Sequence, residues 1–279
     1  MVIPRRAQDQ TDVASHYDVL DAFYRSVWGE HVHHGLWRTG RETPREATLA
    51  LSRLVIAHAA LGDEPVVADA GCGYGGTARL LARHHGARVT AFTLSAAQAA
   101  AAERVDGVEV RVRSWLENGL ADASCDAVIA IESLSHMSPK EEVFAQAARV
   151  LRPGGRLVLV DWLAHDDHGP VETALMLEPI ARTSRLPSLC TRSEYAAYAG
   201  AAGLELLAEE DLSKRVRRTW AIVARRVGRR LLTDRAARRA LLGPANPDRG
   251  FVVSIALLPL GYTTGAMQLR LMAFEQSLV

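Results

Sequence analysis

The chain has 279 residues, 48% of them hydrophobic and 23% charged, with a formal net charge of +1. That balance supplies a full apolar core and excludes a disordered chain, a collagen repeat or a disulfide-stapled miniprotein. The near-neutral charge also argues against a nucleic-acid partner, which normally leaves a basic footprint over a whole domain.

Residues 1–10 carry two arginines, but no apolar h-region follows them. The longest uncharged run, residues 251–269, is broken by Pro259, Gly261, Thr263 and Thr264. Neither a signal peptide nor stable membrane insertion is expected. Residues 11–37 predict one or two amphipathic helices and then a loop of His, Gly and aromatic residues, a cap over something behind it. From about Pro65, apolar β-rich runs at 66–68, 88–92, 108–112, 127–131 and 157–160 alternate with helical stretches at 77–84, 96–105 and 141–151. Near-continuous apolar strands separated by helices predict a parallel sheet covered on both faces, a doubly wound α/β fold.

Past Asp161 the alternation stops until about Ser193; then come a helix at 193–202, a strand at 204–208, helices within 212–242, a helix at 252–258 and a strand at 267–274. The expected organisation is a helical cap at 1–60, a Rossmann-like core at 61–163, and a region at 164–279 holding a helical lid and the last two core strands. Insertions beyond the carboxyl ends of the strands lie where such sheets bind ligands. One stretch is compositionally odd: residues 214–239 hold eleven Lys/Arg and one Asp, spaced so that Trp220, Val223, Val227, Leu231 and Leu232 can share a helix face. A solvated helix with an apolar underside is the simpler account; an acidic carrier protein, a diphosphate or a membrane surface is the alternative. Cys72, Cys125 and Cys190 are odd in number and without CxxC spacing, so no disulfide framework or zinc site is signalled and a reducing cytoplasm is expected.

Asp69-Ala70-Gly71-Cys72-Gly73-Tyr74-Gly75-Gly76 follows an apolar strand and precedes a helix, where glycines let the backbone approach a nucleotide-like ligand. Gly71, Gly73 and Gly76 fit the dinucleotide pattern GxGxxG, while Asp69, Gly71, Gly73 and Gly75 fit the D/ExGxGxG loop of enzymes that use S-adenosylmethionine. A dinucleotide site wants an acidic residue for the ribose at the end of the second strand, and Phe92-Thr93-Leu94-Ser95 stands there instead. The sulfonium cofactor has no diphosphate; its ammonium suits a buried carboxylate such as Asp69, directly or through water.

Taken in order, residues 28–37 (WGEHVHHGLW), Asp69 to Gly75, Thr93-Leu94-Ser95-Ala96-Ala97-Gln98, Ile131-Glu132-Ser133-Leu134-Ser135-His136-Met137 and Leu151-Arg152-Pro153-Gly154-Gly155 resemble class I S-adenosylmethionine-dependent methyltransferases. The resemblance is to the γ-tocopherol methyltransferase-like and sugar O-methyltransferase branch, related to cyclopropane fatty-acid synthases, and it runs from about Tyr17 to Phe274. It implies S-adenosylmethionine as cofactor, S-adenosylhomocysteine as product, and a small-molecule acceptor, and leaves room for a homodimer. Thr93 and Gln98 then serve the ribose hydroxyls. Trp115 stacks on or flanks the adenine, although Ser114 replaces the usual carboxylate there. Tyr17 and His33 belong to the segment that closes over the methionine end, and Glu132 faces the cofactor or the acceptor.

Methyl transfer mainly requires alignment and exclusion of water, but a hydroxyl acceptor also profits from a base. His136 follows the fourth strand and Asp161 closes the fifth, neighbouring ends in this fold, so a His136–Asp161 dyad is expected to deprotonate the acceptor. The segment 171–189 and the helices of 214–258 would form the acceptor pocket. The expected activity is O-methylation of a hydroxyl on a bacterial natural product, as in antibiotic biosynthesis. N- or C-methylation, or a cyclisation or isomerisation that binds the cofactor without methyl transfer, stays open. His31, His34, His165 and His168 match no HExxH or paired Cys/His spacing, so no metal is assigned and they are expected to line a vestibule.

Overall fold

In the computed structural model, which describes residues 1–277 apart from positions 103 and 245, the apolar runs become strands β1 (Val66–Ala70), β2 (Arg88–Thr93), β3 (Val108–Val112), β4 (Cys125–Ile131), β5 (Leu151–Ala164), β6 (Leu204–Asp211) and β7 (Met267–Gln276). Among the described residues they form one sheet in the order β3-β2-β1-β4-β5-β7-β6. The first five are parallel, and β7 runs antiparallel to both β5 and β6. The doubly wound α/β fold is as expected. Strand order reverses direction between β1 and β4, which opens a crevice above their carboxyl ends and fixes where a ligand can sit.

The helices are α1 (Gln10–Val19), α2 (Asp21–Val27), α3 (Pro44–His58), α4 (Gly76–His85), α5 (Ala96–Ala101), α6 (Lys140–Val150), α7 (Pro170–Glu172), α8 (Glu178–Thr183), α9 (Arg192–Ala201), α10 (Ser213–Val216), α11 (Arg218–Thr233), α12 (Arg235–Leu242) and α13 (Phe251–Thr264). Several of their starts follow from side-chain caps. Asp9 with Asp12, Thr43 with Glu46 and Thr191 with Glu194 form reciprocal capping boxes, which satisfy the free N–H groups of a first turn. Two apolar clusters lie on the two faces of the sheet. One joins α2–α4, α8 and α10–α13, with Tyr17 of α1 packed against it, to β1 and β7; the other gathers Phe92, Trp115, Phe144, Tyr195 of α9 and Phe274.

Several boundaries differ from expectation. β5 continues three residues past Asp161, so Asp161 is inside a strand and not at its end. A helical run over 170–183, including a π-helical turn at Thr173–Leu177, lies in the segment expected to belong to the helical lid, where no element bounds were assigned. α13 runs through Pro259 to Thr264, since burial of Leu258, Gly261 and Tyr262 outweighs the hydrogen bond a proline forfeits. On α11, Trp220, Val223 and Val227 are buried as expected, whereas Leu232 is 81% exposed and shares no inner face with them.

Candidate functional site

The loop after β1 is pinned to the loop after β4. Gly71 has φ +95°, and a Cβ there would stand 2.3 Å from the Ser133 Cβ, so only glycine fits. The Ser133 hydroxyl in turn donates to the Ala70 carbonyl. Beneath the loop Asp69 is 3% exposed, and its Oδ2 has no hydrogen-bond partner. Burial pushes its carboxyl up to about 7. An unpartnered buried carboxylate below a glycine cradle fits a ligand that brings a cation.

A cavity of about 570 Å³ opens above this loop, walled by Gly71, Gly73, Thr93, Gln98, His136 and Tyr17, with Glu132 among its further lining residues. Gly75 does not line it; in left-handed conformation it turns the chain into α4. Thr93 Oγ1 donates to Gln98 Oε1 at 2.7 Å, which leaves the amide NH₂ of Gln98 as its free donor. Trp115 borders an adjoining space of about 320 Å³ with Thr93, Leu94, Arg113 and Ser114; its indole N–H is held by the Val143 carbonyl at 3.2 Å, and its ring meets Phe92 edge to face. Asp18 on α1 was not anticipated. Its Oδ1 accepts from Ser95 Oγ at 2.5 Å and from the Ala97 N–H at 3.2 Å, latching the amino-terminal helix onto the Thr93–Gln98 segment.

A second cavity of about 480 Å³ shares Tyr17, Val32, Glu132 and His136 with the first, and is otherwise ringed largely by aromatic side chains, among them Tyr24, Trp28, Trp162, Trp220 and Phe251. The amino-terminal segment thus supplies more of this wall than α11 and α13 do, and Ser184 alone represents the 171–189 segment among its lining residues. His33 lines this second cavity, not the first; its Nδ1–H donates to the His34 carbonyl at 2.8 Å, and Nε2 lies 3.3 Å from both His31 Nδ1 and Ser52 Oγ. His31 packs under Gly76, where a Cβ would strike its ring. Of the four histidines expected in a vestibule, His34 lines the second cavity.

His136 stands on the boundary between the two cavities. Its Nδ1 faces the Arg185 carbonyl at 3.2 Å, and because a carbonyl only accepts, Nδ1 carries the proton and Nε2 the lone pair. Nε2 accepts from the Tyr17 hydroxyl at 3.0 Å. Burial lowers the imidazole pKa to about 3, so the ring is neutral at physiological pH. Burial, with the charges of Glu132 and Asp161, pushes the Tyr17 phenol up, keeping it a donor.

The structure does not bring Asp161 to His136. Asp161 Oδ2 accepts from the Ser135 N–H at 2.6 Å and the Tyr195 hydroxyl at 2.9 Å, and Oδ1 from the Trp162 N–H at 2.8 Å. Burial raises its pKa to about 6 against the opposing pull of Lys140. Its contact with the site is through the backbone of the turn that carries His136. Buried Lys140 grips the same turn by the carbonyls of Leu134, Ser135 and Met137.

Glu132 has φ +53°, a costly conformation for a residue with a side chain, at the carboxyl end of β4. Its carboxylate is engaged by the loop at 31–37 and by β5: Oε1 accepts from the His34 N–H at 2.7 Å, and Oε2 from His34 Nδ1 and from Trp162 Nε1, each at 2.8 Å. Burial alone would raise its pKa, but His34 and Trp162 hold it below the usual range. Trp220 Nε1–H donates to His34 Nε2 at 2.5 Å, which fixes His34 with its proton toward Glu132. Trp162 carries no local sequence pattern that marks it, and the spacing that places Trp220 on an inner helix face names no partner, so this network was not legible beforehand.

Residues 68–159 match a family described as a methyltransferase domain. The chain is 33% identical to a 27-O-demethylrifamycin SV methyltransferase of Amycolatopsis mediterranei over 77% of this chain and 81% of that one. It is 34% identical to a probable tocopherol O-methyltransferase of Oryza sativa subsp. japonica over 76% of its own length, and spans 64% of that relative. The crystal structure of the cyclase SpnF superposes over 100% of both chains with a TM-score of 0.84 at 25% identity.

Proposed function

The chain belongs to the class I S-adenosylmethionine-dependent methyltransferases, and from that premise we propose that it methylates a hydroxyl group of a small, largely apolar natural product, with His136 as the base. The observation that carries this reading is the neutral His136, with its Nε2 lone pair at the junction of two cavities. When bound, S-adenosylmethionine supplies an electrophilic methyl group. Asp69 and the Gly71–Gly73 loop would hold its amino-acid end, Thr93 and Gln98 its ribose, and Trp115 would flank its base. The orphaned Asp69 oxygen and the glycine cradle are what make the group fit.

The aromatic-lined second cavity takes the acceptor and keeps water from it. As the acceptor oxygen bonds to carbon, its proton passes to His136 Nε2 in place of the Tyr17 hydroxyl hydrogen bond. The negative charge of Glu132 favours the imidazolium that results, against the cost of burial. Two of the sequence relatives support the choice of oxygen, one named an O-methyltransferase and the other a methyltransferase of 27-O-demethylrifamycin SV, while others are named N- and C-methyltransferases.

The test is His136→Ala assayed with phenolic and macrocyclic alcohol acceptors. Loss of a general base lowers kcat by about 10²–10⁴-fold, with the Kd for S-adenosylhomocysteine unchanged. An unaltered kcat would remove His136 from the chemistry. The likeness to SpnF favours one second reading, a cyclase that binds the same cofactor. Product formed without a stoichiometric amount of S-adenosylhomocysteine would decide for it.

A further inference from the structure

The cleft between α2 and α11 holds charge that the proposed methyl transfer does not use. Ser26, Arg225, Arg226, Arg229 and Arg230 line an open cleft of about 1030 Å³ on the outer side of these two helices. None of the four guanidinium groups is paired with a carboxylate among the described residues. Arg226 donates to the Val27 carbonyl, and Arg230 to Ser26 Oγ at 2.6 Å. The single acid of this stretch, Asp234, is occupied in capping α12 through the N–H groups of Ala236 and Ala237. Four like charges within two turns repel one another unless an anion joins them.

The placement is specific. α2 and α11 are also walls of the acceptor cavity, through Tyr24 and Trp220. At about 1.5 Å rise per residue, Arg226 lies about 9 Å and Arg230 about 15 Å along the helix from Trp220. The two spaces share no lining residue, so an acceptor that reaches both spans the α2–α11 pair. The arginines come as two pairs one turn apart, at 225/226 and 229/230, and present forked donors that match phosphate oxygens. A concave lining suits a compact, multiply charged anion better than a broad acidic face.

We propose that the α2–α11 cleft binds a phosphate or diphosphate group carried by the acceptor. The proposal rests on the methyltransferase reading for the identity of the acceptor, but anion binding can be tested without it. Calorimetric titration of the full chain with inorganic pyrophosphate and with phosphate, in the presence of S-adenosylhomocysteine, is the experiment. The expected result is saturable binding at one site per chain, weakened at least tenfold in Arg226→Gln/Arg230→Gln and in Arg225→Gln/Arg229→Gln. The affinity for S-adenosylhomocysteine should stay within twofold of wild type in both variants, which also shows that they fold.

Absent or non-saturable binding at millimolar pyrophosphate overturns the proposal, as does binding that the variants leave unchanged. If an acidic polypeptide binds while pyrophosphate does not, the cleft belongs instead to a macromolecular contact and the proposal fails. Loss of S-adenosylhomocysteine binding by the wild-type chain would count against the methyltransferase reading and leave the anion result standing. With that reading intact, phosphorylated and unphosphorylated forms of one accepted phenol place the anion on the acceptor if the phosphorylated form has the lower KM and the arginine variants abolish the difference. Equal KM values would show a free anion as the ligand and refute the link to the acceptor.

Discussion

Asp69→Asn separates what the site costs the fold from what it does for the ligand. Asp69 is buried with an oxygen that nothing in the protein satisfies, and burial moves its carboxyl from 3.8 to about 7. The folded state therefore holds this proton over a pH range in which the unfolded chain has lost it. The sign follows from linkage: stability falls as pH rises from 3.8, and the penalty is complete above about 7. At 1.36 kcal/mol for each pH unit of difference, the full penalty is about 4 kcal/mol. An amide at this position carries no such charge, so Asp69→Asn in the absence of ligand should be the more stable protein at pH 8, by an amount on the order of 4 kcal/mol. The advantage should shrink with a slope near 1.4 kcal/mol per pH unit and vanish near pH 4.

Urea unfolding at pH 5, 6, 7 and 8 measures this directly, provided each transition is two-state. The same substitution should weaken S-adenosylhomocysteine, since the ligand's ammonium is what compensates the wild-type charge. In the wild type, affinity should fall by up to tenfold per pH unit below pH 7 as Asp69 protonates; in Asp69→Asn that slope should flatten. A variant less stable than wild type at pH 8, or a stability difference that does not change with pH, would refute the reasoning. It would mean that the carboxylate already has a partner in the ligand-free fold.

Asp18→Ala removes the hydrogen bonds that latch α1 to Ser95 and Ala97. At about 1–1.5 kcal/mol for the two bonds, the Kd for S-adenosylhomocysteine should rise about fivefold to tenfold with little change in Tm; an unchanged Kd would detach α1 from cofactor closure. Asp161→Asn puts an NH₂ against donors from Ser135 and Tyr195, which should destabilise the fold by about 1–3 kcal/mol. Because that turn carries His136, kcat should fall while the cofactor Kd holds, and equal loss of both would mark a purely structural role.

The parts of the site that were legible in the sequence are those dictated by backbone geometry. Gly71 could be singled out because a tight turn between strand and helix demands it, and the Thr93–Gln98 segment because it follows the next strand of a parallel sheet. These depend on local order along the chain. The partners of the two acids do not. From the sequence, Asp161 and His136 sit near neighbouring strand ends, but β5 runs on to Ala164, and the carboxylate of Asp161 is consumed by Ser135, Tyr195 and Trp162. Glu132 has the opposite fate: it organises His34 and the loop at 31–37 across nearly a hundred residues of sequence. Pairings at that separation leave no periodic trace. Their consequence is chemical. His136 has a neutral carbonyl behind it where a dyad would have a carboxylate, and with its pKa lowered to about 3 it is a weak base. A base of that strength serves a phenol or another acidified hydroxyl far better than an aliphatic alcohol, so the ratio of kcat/KM between the two acceptor classes should fall strongly on the phenolic side, and a preference for aliphatic alcohols would require a base other than His136.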